Sequence, residues 1–240
     1  MKKTFIKDTL RKFAAIAPIL LVGLLCGSAA SAGTVSSCAA ASFGPTPTNT
    51  IGPVDCTGMN AGTLEAWMIA PFNYSTTSGT NTGSIYSAVY LDAGMLDFYY
   101  QVVNDPTSST ALARLTATDF AGFTTNSAYR TDGSTLTGSG FVDGTLAPQT
   151  SDSNVDGSVI GFSFYPPTGP PTEIAPGDTS YTLIISTNAT TWEAGNASII
   201  DGGTQTVAAF QPGNVPEPAS LGLLGLGLIG LAGLRRRIRG

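Results

Sequence analysis

Met95-Leu96-Asp97-Phe98-Tyr99-Tyr100-Gln101-Val102-Val103 is the stretch on which the fold turns. Leu96, Phe98, Tyr100 and Val102 point one way along an extended chain, while Asp97, Tyr99 and Gln101 point the other. Successive side chains of a strand alternate between two faces, so this period of two predicts a half-buried β-strand. The signal recurs on either side. Residues 64–72, 84–91, 111–118, 159–165, 181–187 and 206–210 are apolar, β-branched or aromatic runs of strand length, with Ile160, Phe162 and Phe164 sharing one face. Turn signals separate them: Ser78-Gly79, Ala93-Gly94, Asn104-Asp105-Pro106, Asp132-Gly133, Asp143-Gly144, Asp156-Gly157, Pro176-Gly177-Asp178 and Asp201-Gly202-Gly203. Glycine and proline punctuation of this kind, without a long apolar stripe at helical spacing or a fixed-period repeat, predicts an all-β domain over residues 61–212, a single β-sandwich or jelly roll.

Charge narrows what such a domain can do. Of the eleven Lys and Arg among 240 residues, five lie in the first twelve and four in the last six. Only Arg114 and Arg130 serve the middle, against fourteen acids between Asp55 and Asp201, a net of −12. An acidic body repels phosphate backbones, which argues against nucleic-acid binding. The chain has no His, and the middle has no Lys. Histidine-based triads and metal sites are therefore excluded, and so is a Ser-Lys pair. Carboxylate chemistry remains, or none.

Both ends read as processing segments. Lys2, Lys3, Lys7, Arg11 and Lys12 precede an apolar run over 13–25, which is followed by Ala30-Ser31-Ala32. A basic n-region, an apolar h-region and an A-x-A site make a secretory signal over 1–32, cleaved after Ala32. The run is short of the ~20 residues that a membrane span needs. Cys26 leaves with the signal. Residues 33–60 form a Ser/Thr/Pro-rich lead-in holding Cys38 and Cys56, with seventeen residues between them. In an oxidising compartment an even count favours a disulfide over two buried thiols. A loop of that size would add about 3 kcal/mol by the chain-entropy estimate.

At the other end, residues 213–240 contain Val215-Pro216-Glu217-Pro218, then a Gly/Leu-rich apolar helix over 221–234, then Arg235, Arg236, Arg237 and Arg239. The prolines end any structure inherited from the body. The basic cluster is of the kind retained on the cytoplasmic side, which would leave the body facing outward and hold the chain at the membrane. The tripartite tail resembles the PEP-CTERM family of sorting signals. The resemblance implies recognition by an exosortase, a membrane protease-transferase acting near Pro216-Glu217-Pro218. It also implies an inner-membrane intermediate, then the outer surface or extracellular matrix, and a link to exopolysaccharide and biofilm. The alternative is a plain membrane anchor that is never cut. The expected partners are the Sec translocon, signal peptidase, an exosortase-type enzyme and exopolysaccharide.

Within the body, Asp152-Ser153-Asn154-Val155-Asp156-Gly157 matches the front half of a calcium loop, in which oxygens at alternate positions converge on a hard cation. The twelfth position is Ser163 where such loops carry Glu, so the competing reading is an Asx-rich turn. No other cofactor is expected. A glycoside hydrolase needs two carboxylates about 5–10 Å apart. Glu65, Glu173, Glu193, Asp92 and Asp97 are available, but nothing in the sequence pairs them. Trp67, Tyr86, Tyr90, Tyr99 and Trp192 could stack on sugars, although such residues in β-proteins are mostly packing. Residues 166–171, Pro-Pro-Thr-Gly-Pro-Pro, read as a stiff surface connection. The combined expectation is a non-enzymatic exported surface or matrix protein. The alternatives are a carbohydrate- or calcium-dependent binding module and, more remotely, a carboxylate hydrolase.

Overall fold

The computed structural model describes residues 41–42, 50–166 and 172–213. Its centre is a meander of three long strands, β3 (Thr63–Thr76), β4 (Gly79–Asp92) and β5 (Met95–Asn104). Two-residue turns join them. At the second, Asp92 pairs with Met95, while Ala93 and Gly94 take φ of 50° and 85°. Two positive φ values in succession give the turn whose twist matches its flanking strands.

Four more strands complete the first sheet: β1 (Ala41–Ser42), β2 (Val54–Asp55), β7 (Thr125–Arg130) and β10 (Thr182–Thr187). The order is β1-β7-β10-β5-β4-β3, with β2 running parallel to β7. The second sheet has five strands. They are β6 (Arg114–Thr118), β8 (Thr150–Ser153), β9 (Val159–Ser163), β11 (Trp192–Ile200) and β12 (Thr204–Pro212), in the order β12-β11-β6-β9-β8. The domain is the all-β sandwich expected from the alternation, and β1 and β2 come from the segment read as a lead-in.

The main core fills the space between the sheets. Phe98, Tyr100, Val102, Leu115, Phe120, Ile160, Phe162, Leu183 and Ile185 are all fully buried. Phe98 meets Phe120 edge-on, with centroids 5.6 Å apart. The Tyr100 hydroxyl donates to the Phe210 carbonyl at 2.6 Å, and the Phe210 amide donates to Ser87 Oγ at 3.1 Å. These two bonds tie β12, an edge of one sheet, across the sandwich to the other.

The expectation of a half-buried β5 needs correction: both of its faces are buried. A second core lies on the outer side of the first sheet, where Tyr90, Tyr99, Ala128 and Ile184 pack against Cys56, Ala61, Leu136 and Phe141. The covering segments carry no long strand, only a turn of 3-10 helix at Gly133–Thr135. Gln101 is completely buried beneath them. Its amide donates to the Val142 and Ser180 carbonyls, at 2.7 and 2.9 Å, and its Oε1 accepts the Val142 amide at 3.0 Å. Full pairing is what makes a buried amide tolerable. Asp97, 4% exposed, lies on the same face.

β3 forms the free edge of the first sheet. A bulge between Leu64 and Ala66, and Pro71 within the strand, interrupt that edge against pairing with another chain.

Candidate functional site

A cleft of about 510 Å³ lies beside the second core and is lined by Met59, Asn60, Leu64, Tyr90, Arg130 and Asp132, among others. Its chemistry centres on Arg130, at the end of β7 and only 3% exposed. The guanidinium grips Asp132 with two bonds, Nε to Oδ1 at 2.7 Å and NH2 to Oδ2 at 2.8 Å. It also donates to the Met59 carbonyl and to Thr135 Oγ1. Asp132 accepts the Gly58 amide, and its carboxyl is held below the usual range, first by the bond from Arg130. A buried arginine engaged this fully fixes two covering segments to the sheet.

The carboxylates nominated for hydrolysis are scattered. Glu65 is exposed on edge strand β3. Asp92 and Asp97 share the β4–β5 hairpin, where burial lifts the Asp97 carboxyl to about 7. Glu173 is raised by burial and then by the neighbouring Asp201. Neither Asp97 nor Glu173 lines the 510 Å³ cleft. Glu193 lies in a smaller cleft, about 310 Å³, at the end of the sandwich. It shares that cleft with Asp119 and Gln211, a grouping the sequence did not reveal.

The aromatic candidates divide sharply. Tyr90 and Tyr99 are each 3% exposed, with rings 4.6 Å apart in the second core; Tyr99 is closed off, and Tyr90 contributes only to the wall of the 510 Å³ cleft. Trp192 is partly exposed but meets Phe210 edge-on at 5.0 Å. Trp67 and Tyr86 stay on the outer face, and Trp67 is 48% exposed. A Cβ placed on Gly140 would lie 3.6 Å from the Trp67 ring and 3.5 Å from the Tyr86 ring, so the two rings flank one glycine. Ile69, also exposed, extends this patch along β3.

At the nominated calcium loop the oxygens have other partners. Asp152 receives both terminal nitrogens of Arg114. Gly161 makes room for that guanidinium, because a Cβ there would fall 1.9 Å from NH2. Asn154 Oδ1 accepts the Val159 amide, and Asp156 Oδ1 accepts the Ser158 amide, both at 2.9 Å. The segment is an Asx-rich turn of the β8–β9 hairpin. Among the described residues, no three or more His, Cys, Asp or Glu side chains are grouped to hold a metal.

The residues nominated for sorting and export lie outside the described residues: Ala30, Ala32, Val215, Pro216, Glu217, Pro218, Arg235, Arg236, Arg237 and Arg239. So does Cys38, whose expected partner Cys56 is 2% exposed within the second core. The expected 221–234 membrane helix is outside as well; no helix of the described residues is long and apolar enough to cross a membrane. The last described residue, Gly213, donates its amide to the Thr191 carbonyl at 2.8 Å, so the body is closed where the tail departs.

Residues 214–237 match the family model for the PEP-CTERM protein-sorting motif. The match spans the Pro-Glu-Pro signal, the apolar segment and three of the four terminal arginines, and bears out the resemblance read from the tail. The chain thus carries the sorting motif of an exported protein, handled by an exosortase-type system and destined for the cell surface or the extracellular space. No curated protein and no solved structure matches the chain.

Proposed function

We propose that this protein is a non-enzymatic constituent of the outer cell surface or extracellular matrix, associated with exopolysaccharide. It is held at the inner membrane by the 221–234 segment until its tail is processed near Pro216-Glu217-Pro218. The observation that carries the reading is the sorting motif at 214–237, attached to a body in which the Arg130–Asp132 pair of the 510 Å³ cleft is fully engaged. A Cys38–Cys56 bridge belongs to the same proposal. It is supported by the burial of Cys56 in the second core. The test is intact-mass analysis of the surface-held protein. The expected product begins at Gly33, ends upstream of residue 221 and is about 2 Da lighter than its reduced form. Recovery of a chain ending in the arginine cluster would refute processing.

A second reading, carbohydrate binding, is favoured by one observation: the exposed Trp67 ring beside the half-buried Tyr86 ring, both next to Gly140. Flat, solvent-facing aromatic rings are suited to the apolar faces of sugars. Trp67→Ala is expected to weaken pull-down by the organism's own polysaccharide at least about tenfold, the scale of 1.4 kcal/mol for one stacked ring. Because Trp67 is half exposed on an edge strand, the melting temperature should stay near that of the wild type. Equal pull-down by wild type and variant would remove this reading.

A further inference from the structure

The point where the tail leaves the body is fixed by the fold. The Gly213 amide donates to the Thr191 carbonyl at 2.8 Å. A Cβ on Gly213 would fall 2.7 Å from Thr191 Oγ1, so a bare backbone lets the chain depart close against Thr191. Just before it, Pro212 pairs with Trp192, and Gln211 Nε2 donates to Glu193 Oε1 at 3.1 Å, which holds the ends of β11 and β12 together. The sorting motif starts at the next residue, 214, so no spacer separates body from signal. Pro218, the far end of the Pro-Glu-Pro signal, is five residues beyond Gly213. At 3.3–3.6 Å per residue, a fully extended chain spans at most about 18 Å over that distance. A domain of this size has a radius of gyration of roughly 16 Å, so the tether is no longer than the body is thick.

An enzyme that takes the Pro216-Glu217-Pro218 segment into its active site cannot stand clear of a body held so near. It must meet the pole of the sandwich from which the tail departs. That pole is the rim of the 310 Å³ cleft, whose lining Gly213 shares with Asp119, Ala121, Phe123 and Glu193. Asp119 and Ala121 are exposed, and Phe123 and Glu193 are partly so. The two carboxylates are the only charges of the lining, which holds no basic residue. A pole of this sign is repelled by an anionic lipid surface and attracted by a basic protein surface. The opposite pole is a strand length away. There the β11–β12 turn at Gly202 lies against Thr76, at the β3–β4 turn, and the nine residues of β11 put roughly 30 Å between the two ends.

We propose, resting on the sorting reading, that this tail-root pole is a docking surface for the exosortase-type enzyme, with Asp119, Ala121, Phe123 and Glu193 facing a basic surface beside its active site. The short tether forces the contact, so the enzyme handles the body as well as the linear signal. Charges at the edge of a contact act mainly on encounter and orientation, and wrong juxtapositions of like charge are costly. The same tail on a body whose pole has lost its negative charge is therefore processed more slowly.

The test is pulse-chase of the full chain in the producing cell, following conversion of the long form to the processed one. The pole variant combines Asp119→Asn with Ala121→Arg and cancels the negative charge of the pole. Both residues are exposed and outside the strands, and asparagine tolerates the φ of 68° at position 119, so the variant keeps the fold. Its processing half-time should lengthen at least about tenfold, the scale of one unfavourable charge juxtaposition. Ser78→Arg, in the β3–β4 turn at the other pole, should be processed at the wild-type rate. A spacer of about twelve Gly and Ser residues inserted after Gly213 adds roughly 17–21 Å of mean reach and frees the enzyme from the pole. With the spacer, wild-type and pole-variant bodies should be processed at equal rates. A pole variant processed as fast as wild type at native spacing overturns the proposal. So does a difference that persists undiminished with the spacer, since the tether would not be its cause. A wild-type chain that is never processed overturns the sorting reading itself, an outcome separate from either of these.

Discussion

A chain ended at Gly213 is expected to fold as the full chain does and to lose retention at the cell surface altogether. The body is complete at that point. β12 pairs with β11 along its whole length, from Thr204↔Ile200 to Pro212↔Trp192. The Gly213 amide then closes on Thr191, and no described residue of the body lies beyond. All but the last three residues lost in the truncation belong to the sorting motif. The melting temperature of the purified truncated protein should therefore stay within about 2 °C of that of the mature protein, a stability difference under about 1 kcal/mol. Cell fractionation should show the opposite extreme: all of the shortened protein in the medium and none held at the surface. A cut before Thr204 marks the boundary. It would remove the strand that accepts the Tyr100 hydroxyl and expose Ala197 and Ile199, both fully buried, so that chain should not fold. If the Gly213 chain folds and is still held at the surface, retention comes from the body and the proposed role of the tail is wrong.

The sequence signals that proved legible were contiguous ones. The sorting tail is a linear pattern, and the β3–β4–β5 meander is marked by alternation and two-residue turns that local chemistry dictates. What escaped was burial produced by partners distant in sequence. β7 reads Thr-Asn-Ser-Ala-Tyr-Arg and β8 reads Thr-Ser-Asp-Ser, with no apolar periodicity to betray a strand. Yet Ser127, Asn126, Arg130 and Ser151 are buried, because ladder pairing and side-chain bonds satisfy them; Ser127 Oγ bonds Ser151 Oγ. Tyr90 and Tyr99 looked as available to a ligand as Trp67 did. Only the cover built from residues 56–61 and 136–141 separates buried rings from exposed ones. The cleft at Glu193 illustrates the same limit. Glu193 was visible as an acid, but Asp119 and Gln211 lie 74 positions before and 18 after it, and only the β6-β11-β12 order brings them together.

Asp97 carries the second large effect, a loss of stability as pH rises that is opposite in sign to ordinary acid denaturation. Its carboxyl is buried on the outer face of β5, opposite Tyr90 on one side and Ser186 on the other. Burial pushes its pKa up to about 7. The Ser186 side chain and the Thr187 backbone pull down, and the Asp92 carboxylate pushes up. An unfolded aspartate titrates near 3.9. Between about pH 4 and pH 7 the folded protein therefore keeps a proton that the unfolded chain has released. Since the slope of stability with pH follows protons bound in the unfolded state minus those bound in the folded state, stability falls across this window and levels off above it. A shift of about three units corresponds to roughly 4 kcal/mol, an upper figure for this one group. Asp132 opposes it, because its carboxyl is lowered by Arg130 and its contribution is lost as pH falls. The total profile mixes both signs, so the decisive quantity is a difference: urea unfolding of the wild type against Asp97→Asn at pH 4.5 and at pH 8. Asparagine keeps the shape and an acceptor for the Thr187 backbone while removing the charge. The two proteins should be similar at the lower pH. At pH 8 the variant should be the more stable by several kcal/mol, with an unchanged m-value. Parallel stabilities at both pH values would mean that Asp97 is ionised at no cost in the fold, and that the outer face of β5 is wetter than its packing implies.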